Sequence, residues 1–145
     1  MDDRLYPARP ILAVSVAVFR QGRVLLARRA RAPMVGKFSL PGGVVEIGET
    51  LRQAAARELM EETGVAADIL AFNDHLEPIQ RDDGGVRAHF VIASFVGRWT
   101  AGEFRPSDEM DAADWIDPER IEELPITPGL AAIVAGATRI ERTWR

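Results

Sequence analysis

The chain has 145 residues, of which 47% are hydrophobic, and this size suits a single globular domain over residues 1–145. Its net charge of −4 at pH 7 excludes the basic field with which proteins hold a nucleic acid polymer. Because it contains no cysteine, disulfides and thiolate metal sites are excluded as well, and any metal ion must be held by oxygen.

The N-terminal part of the chain is predicted to form strands and turns. Ile11–Phe19 and Arg23–Ala27 are rich in Val and Ile, and Gln21-Gly22 between them favours a reversal, so the pattern predicts a β-hairpin. Ala30–Lys37 has no hydrophobic periodicity and is predicted to be a loop. A brief strand at Phe38–Leu40 follows this loop and ends before a Pro-Gly-Gly turn.

The best-defined element is a central helix. Thr50 and Gln53 fit a capping box, in which the threonine hydroxyl accepts from the Gln53 amide and the glutamine side chain reaches back to the cap. Good helix formers follow, and Gly64 is placed to end the helix in a left-handed conformation. At about 100° per residue, the arc predicted to face the core is Ala55, Ala56, Leu59, Met60 and Thr63. The neighbouring arc carries Arg57, Glu58, Glu61 and Glu62.

The C-terminal segments complete a mixed fold. Ile69–Arg81 and Val86–Thr100 are strand candidates, and the glycines of Asp82-Asp83-Gly84-Gly85 suit a hairpin reversal between them. The next predicted elements are a short strand at Asp114–Ile116 and helical segments at Pro118–Leu124 and Pro128–Glu141. The sequence therefore predicts a fold of the α/β class, of the α+β type, with a mixed sheet and several helices.

Three glutamates of the central helix lie close together in this prediction. Glu58 lies three residues from Glu61 and four from Glu62, so the side chains meet, and each like-charged pair costs about 0.2–0.5 kcal/mol of helix stability. A solvated acidic face is one interpretation. The other is a metal site, because Pro41-Gly42-Gly43 lets a main-chain carbonyl approach the helix, and Glu46 and Glu49 add acid nearby. Hard divalent cations bind such carboxylate and carbonyl oxygens.

These residues form a family pattern. Gly43, five residues, Glu49, seven residues and then Arg57–Val65 resemble the complete Nudix box of the Nudix (MutT-like) hydrolase family, at residues 43–65. Phe38–Gly42 resembles the usual lead-in to that box. The resemblance implies the Nudix fold, in which a mixed β-sheet is sandwiched between α-helices. It also implies an enzyme that hydrolyses a phosphorus-containing anhydride.

The resemblance further implies a magnesium-dependent mechanism. In the family, metal ions bound by the loop and helix bridge the substrate's phosphates while water attacks one phosphorus. Mg2+ is the expected ion and Mn2+ the alternative. Carried onto this chain, the metal ligands are Glu58, Glu61, Glu62 and the Gly42 carbonyl. Arg57 and Glu49 are expected to orient these ligands without binding the metal themselves.

The resemblance also implies candidates for the general base and for a residue that binds a phosphate. The general base is a helix glutamate, Glu61 or Glu62, or an acid of a downstream loop, for which Glu109 in Pro106–Met110 is the best match. An exposed loop acid is the other interpretation of Glu109. The pair Arg28-Arg29 resembles part of the nucleotide pocket of MutT-like members, and Arg29 is the candidate for binding a phosphate. An exposed arginine pair at a sheet margin is the other interpretation.

The resemblance leaves several functions open. Hydrolysis of ADP-ribose or a related nucleotide sugar is favoured, because Pro78, fourteen residues beyond Gly64, lies near the spacing of a proline in ADP-ribose-cleaving members. The rivals are a MutT-like pyrophosphatase acting on nucleoside triphosphates and a nucleotide-sensing module without activity. A small nucleotide is the expected partner, and a homodimer stays open because many relatives are dimers.

The sequence also bears on location. No apolar stretch approaches the roughly 20 residues that span a bilayer. Met1–Pro10 lacks the hydrophobic region of a signal peptide, so we expect a cytoplasmic protein with no membrane partner.

Four aromatic and histidine side chains are interpreted as structural. His75 and His89 lie in apolar strand contexts, which favour hydrogen-bonded side chains over metal ligands. Trp99 and Trp115 lie at strand positions, where an aromatic ring fills a core more often than it stacks on a base.

Overall fold

The computed structural model describes residues 4–145, so Met1–Asp3, which belong to the predicted domain 1–145 and to the segment Met1–Pro10, lie outside the described residues. The strands are β1 (Ile11–Arg20), β2 (Arg23–Arg29), β3 (Phe38–Ser39), β4 (Gly42–Val44), β5 (Ala66–Leu76), β6 (Ile79–Asp82), β7 (Gly85–Ala101) and β8 (Met110–Ile116). The helices are α1 (Leu51–Thr63), α2 (Leu130–Thr143) and a 3-10 helix (Pro118–Glu123). No helix in this part of the chain has the length and apolar character needed to cross a membrane.

The sheet is built around β7, which is 17 residues long. Strand β1 runs parallel to β7, from the pair Ile11 and Phe90 to the pair Phe19 and Arg98. On the other side of β7 lies β5, which is antiparallel, and the path of neighbouring strands is β3-β2-β1-β7-β5. Strand β4 is antiparallel to β1, and β8 is antiparallel to β2. Parallel and antiparallel pairs therefore occur together, which confirms the predicted mixed sheet.

Both predicted hairpins form, and the second contains an interruption. The Gln21-Gly22 turn has φ values of 53° and 78°, and such positive values match the turn to the twist of β1 and β2. Strand β6 pairs with β7 across the second reversal, where Asp82 faces Gly85. The prediction of one strand over Ile69–Arg81 is wrong, because β5 and β6 are separated at Glu77-Pro78. Proline has no N–H for the ladder, which accounts for the break.

The ends of α1 confirm the predicted capping signals. The Thr50 hydroxyl accepts from the Gln53 amide at 3.1 Å, and the Gln53 side chain accepts from the Thr50 amide at 2.9 Å. Gly64 has a φ of 76°, and its amide donates to the Met60 carbonyl. The helix therefore begins and ends where the sequence predicts.

The C-terminal elements differ from the prediction only at their boundaries. Helix α2 begins at Leu130 rather than Pro128, because Gly129, with a φ of 84°, is its N-terminal cap. The helical segment predicted at Pro118–Leu124 is a 3-10 helix. Strand β8 is longer than the predicted Asp114–Ile116, because it continues pairing with β2 back to Met110.

The sheet separates two hydrophobic cores. Helix α1 covers one face, where the buried residues include Val14, Val16, Leu25, Ala55 and Leu59. Helix α2 covers the opposite face, where the buried residues include Phe19, Leu26, Val96, Ile133 and Val134. Strand β1 contributes to both cores because alternate residues of a strand face opposite sides. A mixed sheet sandwiched between helices confirms the predicted α/β fold class.

Candidate active site

Helix α1 turns part of its acidic side towards the sheet. The predicted core arc is wrong at Ala56, which is exposed, and at Met60, which is 44% exposed. Ala54 and Glu62 are buried instead. Ala54 of the helix and the glycines of β4 occupy little volume, which leaves room for the Glu58 and Glu62 carboxylates between the helix and the sheet. Because Glu62 is buried and Met60 is exposed, the acidic face of α1 is not fully solvated, which contradicts that interpretation.

Glu62 is buried, with 6% of its surface exposed. Its Oε1 accepts a hydrogen bond from the Gly42 amide at 2.8 Å. Burial raises the pKa of this carboxyl to about 7, the Gly42 amide opposes the rise, and the negative charges of Glu58 and Glu109 add to it. Buried charges are stable only with a partner. Glu62 is therefore poised to gain from a cation placed beside it.

Glu58 lies against the backbone of β4. A Cβ placed on Gly43 would lie 2.5 Å from Glu58 Oε2, so glycine at this position leaves the room that the carboxylate occupies. A Cβ on Gly42 would collide with the Val14 carbonyl, so this glycine allows β4 to approach β1. Burial raises the pKa of Glu58, and the Arg57 guanidinium opposes the rise. The two glycines thus shape the space around this carboxylate.

Arg57 connects the acids around the helix. Its Nε donates to Glu49 Oε2 at 2.6 Å and its Nη2 donates to Glu49 Oε1 at 3.0 Å, which makes a bidentate pair. Its Nη1 donates to Glu58 at 2.8 Å and to Glu61 at 3.1 Å, and Nη2 also donates to the Val44 carbonyl at 3.0 Å. The hydrogen bonds from Arg57 lower the pKa of Glu49, and those to Glu49 raise the pKa of Arg57 further above its usual range.

The donors around α1 fit a hard divalent cation. Glu58 and Glu62 offer carboxylate oxygens in a partly desolvated setting, and Glu61 is more exposed and bonded to Arg57. Within residues 4–145, no three His, Cys, Asp or Glu side chains already form a cage. A small hard cation can be held by one or two carboxylates and complete its shell with water and phosphate oxygens, so two carboxylates are compatible with such an ion. The Gly42 amide donates a hydrogen bond to Glu62. The role of the Gly42 carbonyl as a metal ligand stays a prediction.

Glu109 lies in an exposed turn beside the C-terminal end of α1. The turn is closed by the Ser107 amide, which donates to the Met110 carbonyl at 2.8 Å. It is attached to the helix by the Ser107 hydroxyl, which donates to the Glu62 carbonyl at 2.9 Å. The charge of Glu109 raises the pKa of Glu62, so the two carboxylates interact electrostatically. The structure therefore brings Glu109 to the end of the site occupied by Glu62.

Arg29 ends β2 near the same carboxylates. Its Nε donates to the Pro33 carbonyl at 2.8 Å, and its positive charge lowers the pKa of Glu62. The next residue, Ala30, donates its amide to the Glu109 carbonyl at 2.9 Å. The loop after β2 and the turn that carries Glu109 are thus joined at the edge of the site.

Three of the four side chains interpreted as structural make contacts that agree with that interpretation, and the hydrogen bond expected of His89 stays a prediction. His75 is exposed and hydrogen-bonded to Glu77 at 2.9 Å, and His89 is half-buried within β7. Trp99 and Trp115 pack against the core beneath α1. None of these four residues is needed to account for the acidic site.

Two contacts of the site have no counterpart in the sequence analysis. The Val44 carbonyl accepts from Arg57, and the Ser107 hydroxyl bonds to both the helix and its own turn. A backbone acceptor leaves no trace in residue identity. Serine favours turns in which its hydroxyl bonds to nearby backbone, and that signal was available at Ser107.

The fold and the site together define a class of hydrolases in which an acidic helix faces a glycine-containing strand. The model of the NUDIX domain matches residues 9–136 of the chain. The ADP-ribose pyrophosphatase of Methanocaldococcus jannaschii is 32% identical over 121 residues, which cover 83% of this chain and 69% of that protein. The putative 8-oxo-dGTP diphosphatase 2 of Mycobacterium tuberculosis is 33% identical over 120 residues, which cover 75% of this chain and 82% of that protein.

Solved structures agree with these relatives. The crystal structure of a MutT Nudix hydrolase from Burkholderia pseudomallei has a TM-score of 0.76 and 28% identity, and the match covers 88% of this chain and 98% of that chain. The chain belongs to the Nudix family and is a hydrolase of phosphorus-containing anhydrides. Nudix hydrolases use divalent metal cations and act on small nucleotide substrates.

Proposed function

We propose that the enzyme hydrolyses the phosphoanhydride bond of ADP-ribose or a related nucleotide sugar with Mg2+, or with Mn2+ as the alternative ion. The observation that carries this proposal is the pair of desolvated carboxylates, Glu58 and Glu62, beside the glycines of β4. These carboxylates would hold the metal, with Glu61 and the Gly42 carbonyl as further ligands. The products from ADP-ribose are AMP and ribose 5-phosphate.

Each residue then has a defined chemical task. When bound, Mg2+ compensates the charge of the phosphates and makes water easier to deprotonate. Arg57 orients Glu58, and its bidentate pair with Glu49 keeps the guanidinium in place. The proton of the attacking water is accepted by Glu109 or by a helix glutamate, Glu61 or Glu62.

Arg29 is proposed to bind a substrate phosphate. Its positive charge acts on Glu62, so a phosphate that reaches the metal-binding carboxylates also comes within the field of Arg29. Arginine suits this task because its planar guanidinium donates several hydrogen bonds to phosphate oxygens. The expected effect of Arg29→Lys is a higher KM, since lysine keeps the charge and loses this geometry.

Two observations favour ADP-ribose over a nucleoside triphosphate. The relative from M. jannaschii is named ADP-ribose pyrophosphatase, and Pro78 lies near the spacing of a proline in ADP-ribose-cleaving members. The second candidate is a MutT-like pyrophosphatase, which the M. tuberculosis and B. pseudomallei relatives favour by their names. The complete set of acids around α1 favours either enzyme over a module that senses a nucleotide without cleaving it.

A panel of nucleotides with identified products tests the proposal. With Mg2+ present, the enzyme is expected to release AMP and ribose 5-phosphate from ADP-ribose more efficiently than pyrophosphate from dGTP. Preferential release of pyrophosphate would establish the second candidate. A nucleotide that raises the melting temperature without any product would establish the sensing module.

Two glutamine variants test the metal ligands. Glu58→Gln and Glu62→Gln are each expected to lower kcat at least about 100-fold, or about 3 kcal/mol in activation free energy. The amide keeps the shape of the carboxylate and lowers metal affinity, so both variants should fold. Glu123→Gln is the matched control, because Glu123 is an exposed acid paired with Arg120 outside the site. Near-normal magnesium-dependent activity in both variants would refute the assignment.

We also propose that the enzyme is cytoplasmic and requires neither a membrane nor a nucleic acid polymer. Its oligomeric state is left open between a monomer and a homodimer. Fractionation of cells that produce the protein would test its location. Sedimentation equilibrium would distinguish a mass of 16.0 kDa for the monomer from twice that value.

A further inference from the structure

The turn that carries Glu109 supplies hydrogen bonds to the end of α1. The Arg105 amide donates to the Thr63 carbonyl at 2.8 Å, and the Ser107 hydroxyl donates to the Glu62 carbonyl at 2.9 Å. The last carbonyls of a helix have no donor within the helix. This segment therefore ends the helix and is fixed to the residue whose side chain is the buried carboxylate.

Ser107 also closes the turn itself. Its Oγ accepts from the Met110 amide at 3.2 Å, and its own amide donates to the Met110 carbonyl at 2.8 Å. A hydroxyl donates one hydrogen bond and has lone pairs to accept others, so one side chain serves both purposes. Met110 begins β8 and is 2% exposed, so the turn is closed against a buried residue.

The backbone of the turn is held on its other side by the loop after β2. The Ala30 amide donates to the Glu109 carbonyl at 2.9 Å, and Arg31 Nε donates to the Asp108 carbonyl at 3.1 Å. The Glu109 side chain itself is exposed. The main chain of this turn is thus held by several hydrogen bonds while the Glu109 side chain is exposed, and Ser107 adds a side-chain link from the turn to α1 beside the link from the Arg105 amide.

We propose that Ser107 is a positioning residue, which holds the turn that carries Glu109 against the end of α1 at Glu62, so that Glu109 can act as the general base. This inference rests on the proposed function, in which Glu109 is a candidate base. A base must lie within hydrogen-bond reach of the water it deprotonates, and displacement by 1 Å costs roughly 100-fold in rate. Without the hydroxyl, the Glu62 carbonyl loses a donor and the Met110 amide loses an acceptor. The turn then keeps one of its two closing hydrogen bonds.

Kinetics of Ser107→Ala and Ser107→Thr with Mg2+ and ADP-ribose test this role. The alanine variant is expected to lower kcat about tenfold with KM changed less than about twofold, and threonine, which keeps the hydroxyl, should restore kcat. Thr138→Ala is the matched control, because it removes a hydroxyl that donates to the Val134 carbonyl at 2.7 Å in α2. It should lower the melting temperature and leave kcat unchanged. Equal kcat losses in the Thr138 and Ser107 alanine variants would overturn the proposal.

A double-mutant cycle with Glu109→Gln decides whether Ser107 acts through Glu109. In the Glu109→Gln background, Ser107→Ala should lower kcat by less than about twofold, because the base is already lost. Multiplicative losses, or a Glu109→Gln enzyme with normal kcat, would overturn the inference. A wild-type enzyme that cleaves dGTP but not ADP-ribose would refute the proposed substrate instead, and the same cycle on dGTP would then decide the role of Ser107.

Discussion

Replacing Glu62 by glutamine should stabilise the metal-free protein while it abolishes activity. The carboxyl is 6% exposed, and burial raises its pKa from the ordinary value of 4.5 to about 7. Glutamine keeps an oxygen that accepts from the Gly42 amide and carries no charge. The substitution therefore removes the cost of a buried anion and keeps the hydrogen bond.

The size and pH dependence of this effect follow from proton linkage. Between pH 4.5 and about 7 the folded state binds more protons at Glu62 than the unfolded state, so stability falls as the pH rises through this window. At about 1.4 kcal/mol per pH unit, the full cost above pH 7 is about 3 kcal/mol. For a domain of this size, that corresponds to a rise in melting temperature of roughly 6–10 °C for the variant.

Thermal unfolding in EDTA at pH 8 and at pH 4.5 measures the effect. Glu62→Gln should melt higher than the wild type at pH 8, and the two midpoints should converge at pH 4.5. Glu123→Gln serves as the control, since that side chain is 61% exposed and should show no such convergence. A lower midpoint for Glu62→Gln at pH 8, or a gain that is the same at both pH values, would refute the reasoning.

Three further substitutions probe the frame of the site. Gly43→Ala should lower kcat about 100-fold, because the added Cβ displaces the Glu58 carboxylate. Gly48→Ala is the control, because a Cβ at Gly48 meets no atom within 4 Å. This control should lower the stability without a comparable loss of kcat. Arg57→Lys should lower kcat about 10- to 100-fold with normal folding, since lysine cannot form the bidentate pair with Glu49, and unchanged kinetics would contradict its orienting role. Gly64→Ala should lower the melting temperature by about 3 °C, because the left-handed conformation, with φ of 76°, is strained for alanine. Calorimetry measures this midpoint, and an unchanged value would contradict the prediction.

Much of the fold was predictable from local signals. The capping box at Thr50 and the left-handed glycine at Gly64 depend on chemistry within a few residues, and both form as predicted. The Gln21-Gly22 reversal is local in the same sense. The break at Pro78 was missed, although proline marks it, because the apolar character continues on both sides of the break.

The orientation of α1 was not predictable in the same way. Hydrophobic periodicity placed Met60 and Ala56 towards the core, whereas the structure buries Ala54 and Glu62. Periodicity assumes that the core side of a helix is its most apolar side. Here the space beside the glycines of β4 admits a carboxylate, and that space arises from pairing between β4 and β1.

The acidic site was predictable in its residues but not in its geometry. The spacing of Glu49, Arg57 and Glu58 identified the family pattern, and the structure joins these three through hydrogen bonds. The proximity of Glu109 to Glu62 was predicted from the resemblance alone. The two residues are more than 40 positions apart in the sequence, so no local pattern could bring them together. The contacts of Ser107 are tertiary for the same reason.

The parallel pairing of β1 with β7 has a consequence for synthesis of the protein on the ribosome. The apolar strand Ile11–Arg20 is made before its partner, which is complete only at Ala101. At 5–20 residues per second, the intervening chain of about 80 residues takes roughly 4–16 s to be made. During that interval one edge of the nascent hairpin has no neighbour, and an unpaired apolar edge is a template for aggregation. Chaperone supply during translation should therefore affect the yield of folded enzyme more than conditions after release.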